Sequence, residues 1–168
     1  MDSPIITSIM NIGDITKKDI KFAEMALYYA KLSNMKEKHG CVLVMNGNIK
    51  SHGINSDRVQ SSDKLGLLRG TFSTHAEIDA IKKIYKPYEK DYKTFKKSSL
   101  YVVRVIKSDI LTESAPCERC TRFLKMLNIK YIIHSNQSGG LTKKKVKNYN
   151  SDHICKGAIS LKRLNIIN

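Results

Sequence analysis

Cys41-Val42-Leu43-Val44-Met45, then Asn46-Gly47, then Asn48-Ile49-Lys50-Ser51 is the stretch on which the fold turns. An apolar run, an Asn-Gly break and a second extended run predict a β-hairpin, because Asn-Gly readily takes the positive φ angles of a tight hairpin turn. Upstream, Thr16-Lys17-Lys18-Asp19 predicts a helix start, with a hydroxyl to cap and an early acid to suit the helix dipole. Ile20, Ala23, Leu27 and Ala30 then recur at helical spacing, so a helix is expected from about Lys17 to Asn34, followed by a polar break at Lys36–His39. Residues 1–15 have no clean period and read as an arm or edge segment.

Downstream, Gly53–Thr74 has little periodicity, and a loop of that length is more often functional than idle, with a disordered insertion as the alternative. Ser73-Thr74 precedes a helical stripe of Ile78, Ile81, Ile84 and Tyr85 that ends by Pro87. Ser99–Ile106 reads as a strand buried on both faces. After the polar loop Lys107–Ala115, Pro116 opens a helix with Cys120, Phe123, Leu124 and Leu127 on one face. Tyr131–His134 is a further strand, which Ser138-Gly139-Gly140 can turn into an antiparallel partner, Leu141–Val146. The order α-β-β-α-β-α-β predicts an α/β fold: a three-layer α-β-α sandwich around a mixed sheet of about five strands.

The chain has 168 residues, 41% hydrophobic and 27% charged, which fits one globular domain over 1–168, with 1–15 as an arm and 147–168 as a tail. No apolar run approaches the ~18 residues of a spanning helix, and Met1–Met10 lacks the basic start of a secretory signal, so a cytoplasmic protein without a membrane partner is expected. The formal charge of +15 suggests a polyanionic partner. The excess of Lys over Arg and the lack of Trp suit a plain compositional bias equally well. Lys82-Lys83 and Lys143-Lys144-Lys145 read as solvated faces.

Two segments carry chemistry: His75-Ala76-Glu77 and Pro116-Cys117-Glu118-Arg119-Cys120. Alone, each has an ordinary reading. Thr74-x-x-Glu77 is a capping box, and Cys117 and Cys120 suit either small core residues or a redox pair. Jointly they say more. His75 and Cys117 are 42 positions apart, room for one helix, one strand and two connections, which brings two helix N-termini to one end of one sheet. Two thiolates and an imidazole supply three ligands to Zn²⁺ and leave a fourth position open, the mark of a catalytic site. Cys41 reads as core, His52 and His134 as packing or surface residues, and Cys155 and His153 as tail residues without evident companion ligands.

The pattern H-x-E…P-C-x-x-C, here His75-Ala76-Glu77 and Pro116-Cys117-Glu118-Arg119-Cys120, resembles the signature of the cytidine/deoxycytidylate deaminase superfamily over about residues 17–146. The resemblance implies a cytidine-deaminase-like fold with His75, Cys117 and Cys120 as zinc ligands and Glu77 as the catalytic proton shuttle. It implies a sugar contact from Asn55 and a grip on the ring's polar edge by backbone N–H groups near Ala76 and Cys117. Arg58, Lys64 and Arg69 suit either a substrate phosphate or a solvated surface; Phe72 suits either a stacked base or packing under the loop. The expected partner is a cytosine nucleoside or nucleotide, deoxycytidylate first, handled by a homo-oligomer. A tRNA or single-stranded DNA editing deaminase is the rival, and a non-catalytic zinc-stabilised binding module the alternative of another class. A His ligand looks like the deoxycytidylate and polynucleotide branches; an antiparallel strand after Tyr131–His134 resembles the free-nucleoside branch. The stretch Lys107–Ala115 departs from the usual short approach to Pro-Cys and is expected to rim the pocket.

Overall fold

The computed structural model describes residues 12, 14–57, 73–85, 94–155 and 159. Among these, α1 spans Lys17–Lys31, β1 Lys38–Met45, β2 Asn48–Ile54, α2 Ala76–Lys82, β3 Ser98–Val105, β4 Leu111–Thr112, α3 Glu118–Met126, β5 Tyr131–Ser135 and β6 Leu141–Lys145. The sheet runs β2-β1-β3-β5-β6, with β4 on the end of β3. Only the β3–β5 pair is parallel; β1–β2, β1–β3 and β5–β6 are antiparallel. The mixed sheet between helices is the expected sandwich, with the two-residue β4 as a sixth strand.

Alternation along the strands builds the two halves of the core. Cys41, Leu43, Met45, Leu100, Val102 and Ile132 face α2 and α3. Val42, Val44, Tyr101, Val103 and Ile133 face α1 through Ala23, Ala26, Leu27 and Ala30. The helices lie close on the sheet at two glycines. A Cβ at Gly40 would strike Ala26 O and Ala30 N of α1, and a Cβ at Gly53 would strike Ala76 O and Ala80 N of α2. The predicted hairpin turn forms with Asn46 at φ 51° and Gly47 at φ 76°.

Several boundaries differ from expectation for local reasons. Helix α1 stops at Lys31 because the buried Ser33 hydroxyl leaves the helical path and donates to Asn55 O at 2.9 Å and Asn55 Oδ1 at 2.7 Å. Pro116 precedes α3 rather than opening it, since Cys117 is the N-cap. The presumed loop after Ile106 folds back on β3, pairing Leu111 with Val105 and Thr112 with Arg104. At the other edge, Ile12 bridges in parallel to Thr142 of β6, so part of the expected arm does pair with the sheet. No helix among the described residues is long and apolar enough to cross a membrane.

One buried acid joins three elements. Asp19 accepts from Thr16 N at 2.9 Å in a capping box, from the Tyr101 hydroxyl of β3 at 2.7 Å, and from Lys143 Nζ of β6 at 2.9 Å. Lys143, expected on a solvated face, is therefore spent on an internal pair, and its side chain is only 20% exposed. Burial pushes the Asp19 carboxyl upward, but hydrogen bonds from Thr16, Tyr101 and Lys143 more than offset it and hold it below the usual carboxylate value. Its stabilising contribution is therefore complete above about pH 4 and is lost as pH falls through the depressed folded value. Asp19→Asn should destabilise the protein by about 1–3 kcal/mol at pH 7 in urea unfolding. The gap to wild type should close as the pH is lowered below the carboxylate range; a gap independent of pH would show that the Asp19 charge contributes nothing.

Candidate metal centre and active site

The site forms where the N-termini of α2 and α3 meet beside β1 and β3. Thr74 exchanges backbone hydrogen bonds with Ser56 at 2.9 and 3.0 Å, tying the residue before His75 to the end of β2. The body of α2 is held on β2 by Ser51 Oγ donating to Ala80 O at 2.7 Å and Ile54 N donating to Asp79 Oδ2 at 3.1 Å. Lys83 adds a bond to His52 O at 2.6 Å, and both Lys82 and Lys83 pair with Asp79. These lysines too do more than coat a solvated face. The segment entering α3 is fixed by Ser114, whose hydroxyl donates to Val102 O at 2.8 Å and accepts from Ser135 N at 3.0 Å.

His75 is the N-cap of α2 and Cys117 the N-cap of α3, neither with a side-chain cap bond. His75 Nδ1 lies 3.6 Å from Cys117 Sγ and 3.4 Å from Cys120 Sγ, and the three donor atoms all fall within 4.8 Å of one another. All four cysteines are free thiols, so no disulfide ties up the pair. Burial works against the His75 imidazolium, yet hydrogen bonds to Cys117 and Cys155 and the charge of Glu77 push its pKa up to about 11. The Cys120 thiol, lowered by its bond with Cys117 but raised by burial and by Glu77, ends at about 11; the Cys117 thiol is also raised, first by its bond with Cys120. All three groups are shifted towards their protonated forms. One imidazole and two thiolates converging on one point are the donor set of zinc, which would replace those protons on binding. The residues fit the ion.

Glu77 lies in the first turn of α2, 5% exposed. The T-x-x-E capping box does not form, because the helix is capped at His75 rather than Thr74, and Glu77 makes no ion pair among the described residues. Two residues past His75 on the same helix, its charge raises the proton affinity of His75, Cys120, His39 and Cys41. Ala76 is fully buried at the first position of α2, where helical N–H groups lack intrahelical partners.

Asn55 occupies the rim in a structural role. Its Oδ1 accepts from His39 N at 2.8 Å and from Ser33 Oγ, and its Nδ2 donates to Glu37 O at 2.6 Å, leaving one amide hydrogen for anything else. Arg58, Lys64, Arg69 and Phe72 lie outside the described residues. Cys41 is core, as expected; His52 stacks on Tyr29 with ring centroids 3.9 Å apart, and the buried His134 ring meets Glu113 at 3.1 Å. The stretch 107–115 contributes Glu113 to this end of the sheet.

Sequence reasoning missed two residues. His39 shares the strand face of Cys41 and sits across from Arg104, and burial lowers its pKa against the pull of Glu77. Its alternation with Cys41, Leu43 and Met45 was the available signal. Cys155, from the tail, lies against His75 and Cys117, and no local pattern announces it. Metal analysis of the purified protein should find one zinc per chain, with His75→Ala, Cys117→Ala and Cys120→Ala each losing most of it while Cys41→Ala keeps it; retention in all three would remove these residues as ligands.

The family model for the cytidine and deoxycytidylate deaminase zinc-binding region matches residues 16–136. No curated protein sequence matches the chain. A cytidine deaminase from Burkholderia pseudomallei superposes with a TM-score of 0.54 at 19% identity, covering 83% of this chain and 100% of that one. The dCMP deaminase of cyanophage S-TIM5, in complex with dCMP and dUMP, gives 0.50 at 21% identity over 73% of this chain and 85% of its own. At such identities these neighbours speak to fold alone. The match of the family model over most of the chain, set on a His-Cys-Cys donor group, shows that the chain belongs to the cytidine and deoxycytidylate deaminase family.

Proposed function

We propose that this chain is a zinc-dependent hydrolase that converts the amino-bearing carbon of a cytosine nucleoside or nucleotide to a carbonyl and releases ammonia. The observation that carries the reading is Glu77: buried, engaged in no capping box, in the first turn of the helix that His75 caps, and acting by its charge on His75 of the His75–Cys117–Cys120 group. His75, Cys117 and Cys120 would hold the ion, which when bound supplies water acidified to near neutrality. Glu77 takes a proton from that water and passes it to the ring nitrogen beside the reacting carbon. As the water oxygen bonds to the reacting carbon, the same carboxylate takes the second proton of that water and delivers it to the departing amine, so that the C–N bond breaks, the carbonyl forms and ammonia leaves. Backbone N–H groups at Ala76 and near Cys117 orient the polar edge of the ring, and the remaining amide hydrogen of Asn55 is the candidate contact to a sugar. The chain works in this reading as one deaminase domain on a small molecule in the cytoplasm, with a homo-oligomer as its expected state.

The net charge of +15 favours one rival, a deaminase acting on polynucleotides. The two differ in salt response, since phosphate contacts make polynucleotide binding fall steeply with ionic strength. The non-catalytic reading is disfavoured by the missing capping box, which would have given Glu77 a purely structural task.

Ammonia release should be measured over cytidine, deoxycytidine, dCMP, adenosine, guanine and tRNA with zinc content determined in parallel. Turnover of a free cytosine compound, dCMP first, undisturbed by competing nucleic acid, is expected; turnover of tRNA alone would favour the rival. Glu77→Gln should keep its zinc and lose turnover by about 10²–10⁴-fold, the range of general acid–base catalysis. Substantial activity in the zinc-loaded variant would remove Glu77 from the mechanism.

A further inference from the structure

The fourth cysteine has no task in the reaction above, yet the fold brings it to the metal donors. After β6 the chain turns at Val146–Asn148, buries Tyr149, and crosses the N-terminus of α3. Among the described residues, three polar contacts join this strap to α3 and the residues that enter it. Lys125 Nζ donates to Asn150 Oδ1 at 2.9 Å, Ser151 Oγ donates to Pro116 O at 2.7 Å, and Glu118 N donates to His153 O at 2.9 Å. Two of them grip the residues on either side of Cys117. The third thiol therefore arrives by construction: Cys155 is 9% exposed and shares the apolar cluster of Cys117 and Cys120. Its side chain hydrogen-bonds with His75 and with Cys117, and its sulfur lies outside the compact group of three donors.

Zinc is satisfied by four donors in a tetrahedron, and a set of three leaves one position for water or substrate. A thiol that hydrogen-bonds with two of the three donors is a protein group placed to compete for that position. We propose that Cys155 is a fourth, displaceable zinc ligand: the C-terminal strap closes the site in the resting protein and must withdraw before a substrate is processed. On ligation the Cys155 S–H proton passes to solvent and a sulfur–metal bond forms. When the strap withdraws that bond breaks, the sulfur regains a proton, and the position is free for water. Among the described residues, the strap is anchored by side-chain and single backbone contacts rather than by a strand ladder, which suits such movement. This inference rests on the metal-binding part of the proposed function.

X-ray absorption at the zinc edge of the as-purified full chain reads the donor set directly, without substrate or turnover. Three sulfurs and one nitrogen are expected in wild type, with two sulfurs, one nitrogen and one oxygen in Cys155→Ala. A chelator competition should show the variant releasing zinc at least about tenfold more readily, the direction expected for loss of a protein ligand. Two sulfurs in the wild-type protein, or three in Cys155→Ala, would overturn the inference while leaving the His75–Cys117–Cys120 site intact. A wild-type protein that binds no zinc at all would instead sink the metal-site reading beneath it. Because the wild-type spectrum decides by itself, the inference stays testable even where the variant folds poorly.

Discussion

The arrangement depends on how closely α2 lies against β2. At Gly53 there is no room for a side chain, since a Cβ would occupy the space of Ala76 O and Ala80 N. That contact sets the depth of the helix, while Ser51 on Ala80 O and the Ile54 amide on Asp79 set its rotation. A helix turns by about 100° per residue, so a slip of one position would carry Glu77 to a different face of α2. The position of the N-cap follows from the same contact, and His75 stands at it. The second helix is held independently through Ser114, which bonds both β3 and β5 just ahead of Cys117. Two short helices, each pinned to the sheet by hydroxyl-to-carbonyl bonds, thus present an imidazole and two thiols to one point.

The electrostatics of that point are a balance of opposed pulls. The first turn of α3 favours thiolates at its N-terminus. In the other direction, burial and the carboxylate of Glu77 raise the proton affinity of the Cys120 thiol and the bond with Cys120 raises that of Cys117, while the bonds to Cys117 and Cys155 and the charge of Glu77 raise that of the His75 ring against its burial. A dication resolves the conflict by taking the place of those protons, which couples occupancy of the site to pH and makes the cluster poorly suited to being left bare. The same carboxylate that raises the proton affinity of its neighbours is the base in the proposed chemistry.

Much of this was legible from residue order. Asn46-Gly47 specified the hairpin, the small-residue turn at Ser138–Gly140 specified β6, and the spacing of Cys120, Phe123, Leu124 and Leu127 specified the buried face of α3. The joint occurrence of His-x-Glu and Cys-x-x-Cys located the donor group, because helix N-termini in a sandwich of this kind share one end of the sheet. What escaped were features set by partners far along the chain. Lys82, Lys83 and Lys143 look like surface charge until Asp79 and Asp19 are placed beneath them. Strand β4, at two residues, is too short to carry a period, and the early stop of α1 is decided by Ser33 meeting Asn55. Cys155 and His39 come to interact with the donor residues through strap packing and strand alternation, neither of which a motif records.

The central claim is that catalysis resides in one ion held by His75, Cys117 and Cys120 with Glu77 at hand. It is tested most directly by stripping the full-length protein of metal and titrating zinc back while recording ammonia release from dCMP and cytidine. The account predicts negligible release from the stripped protein and a linear recovery that levels off at one equivalent of zinc per chain. Release that survives stripping, or that fails to return with zinc on either substrate, would contradict it.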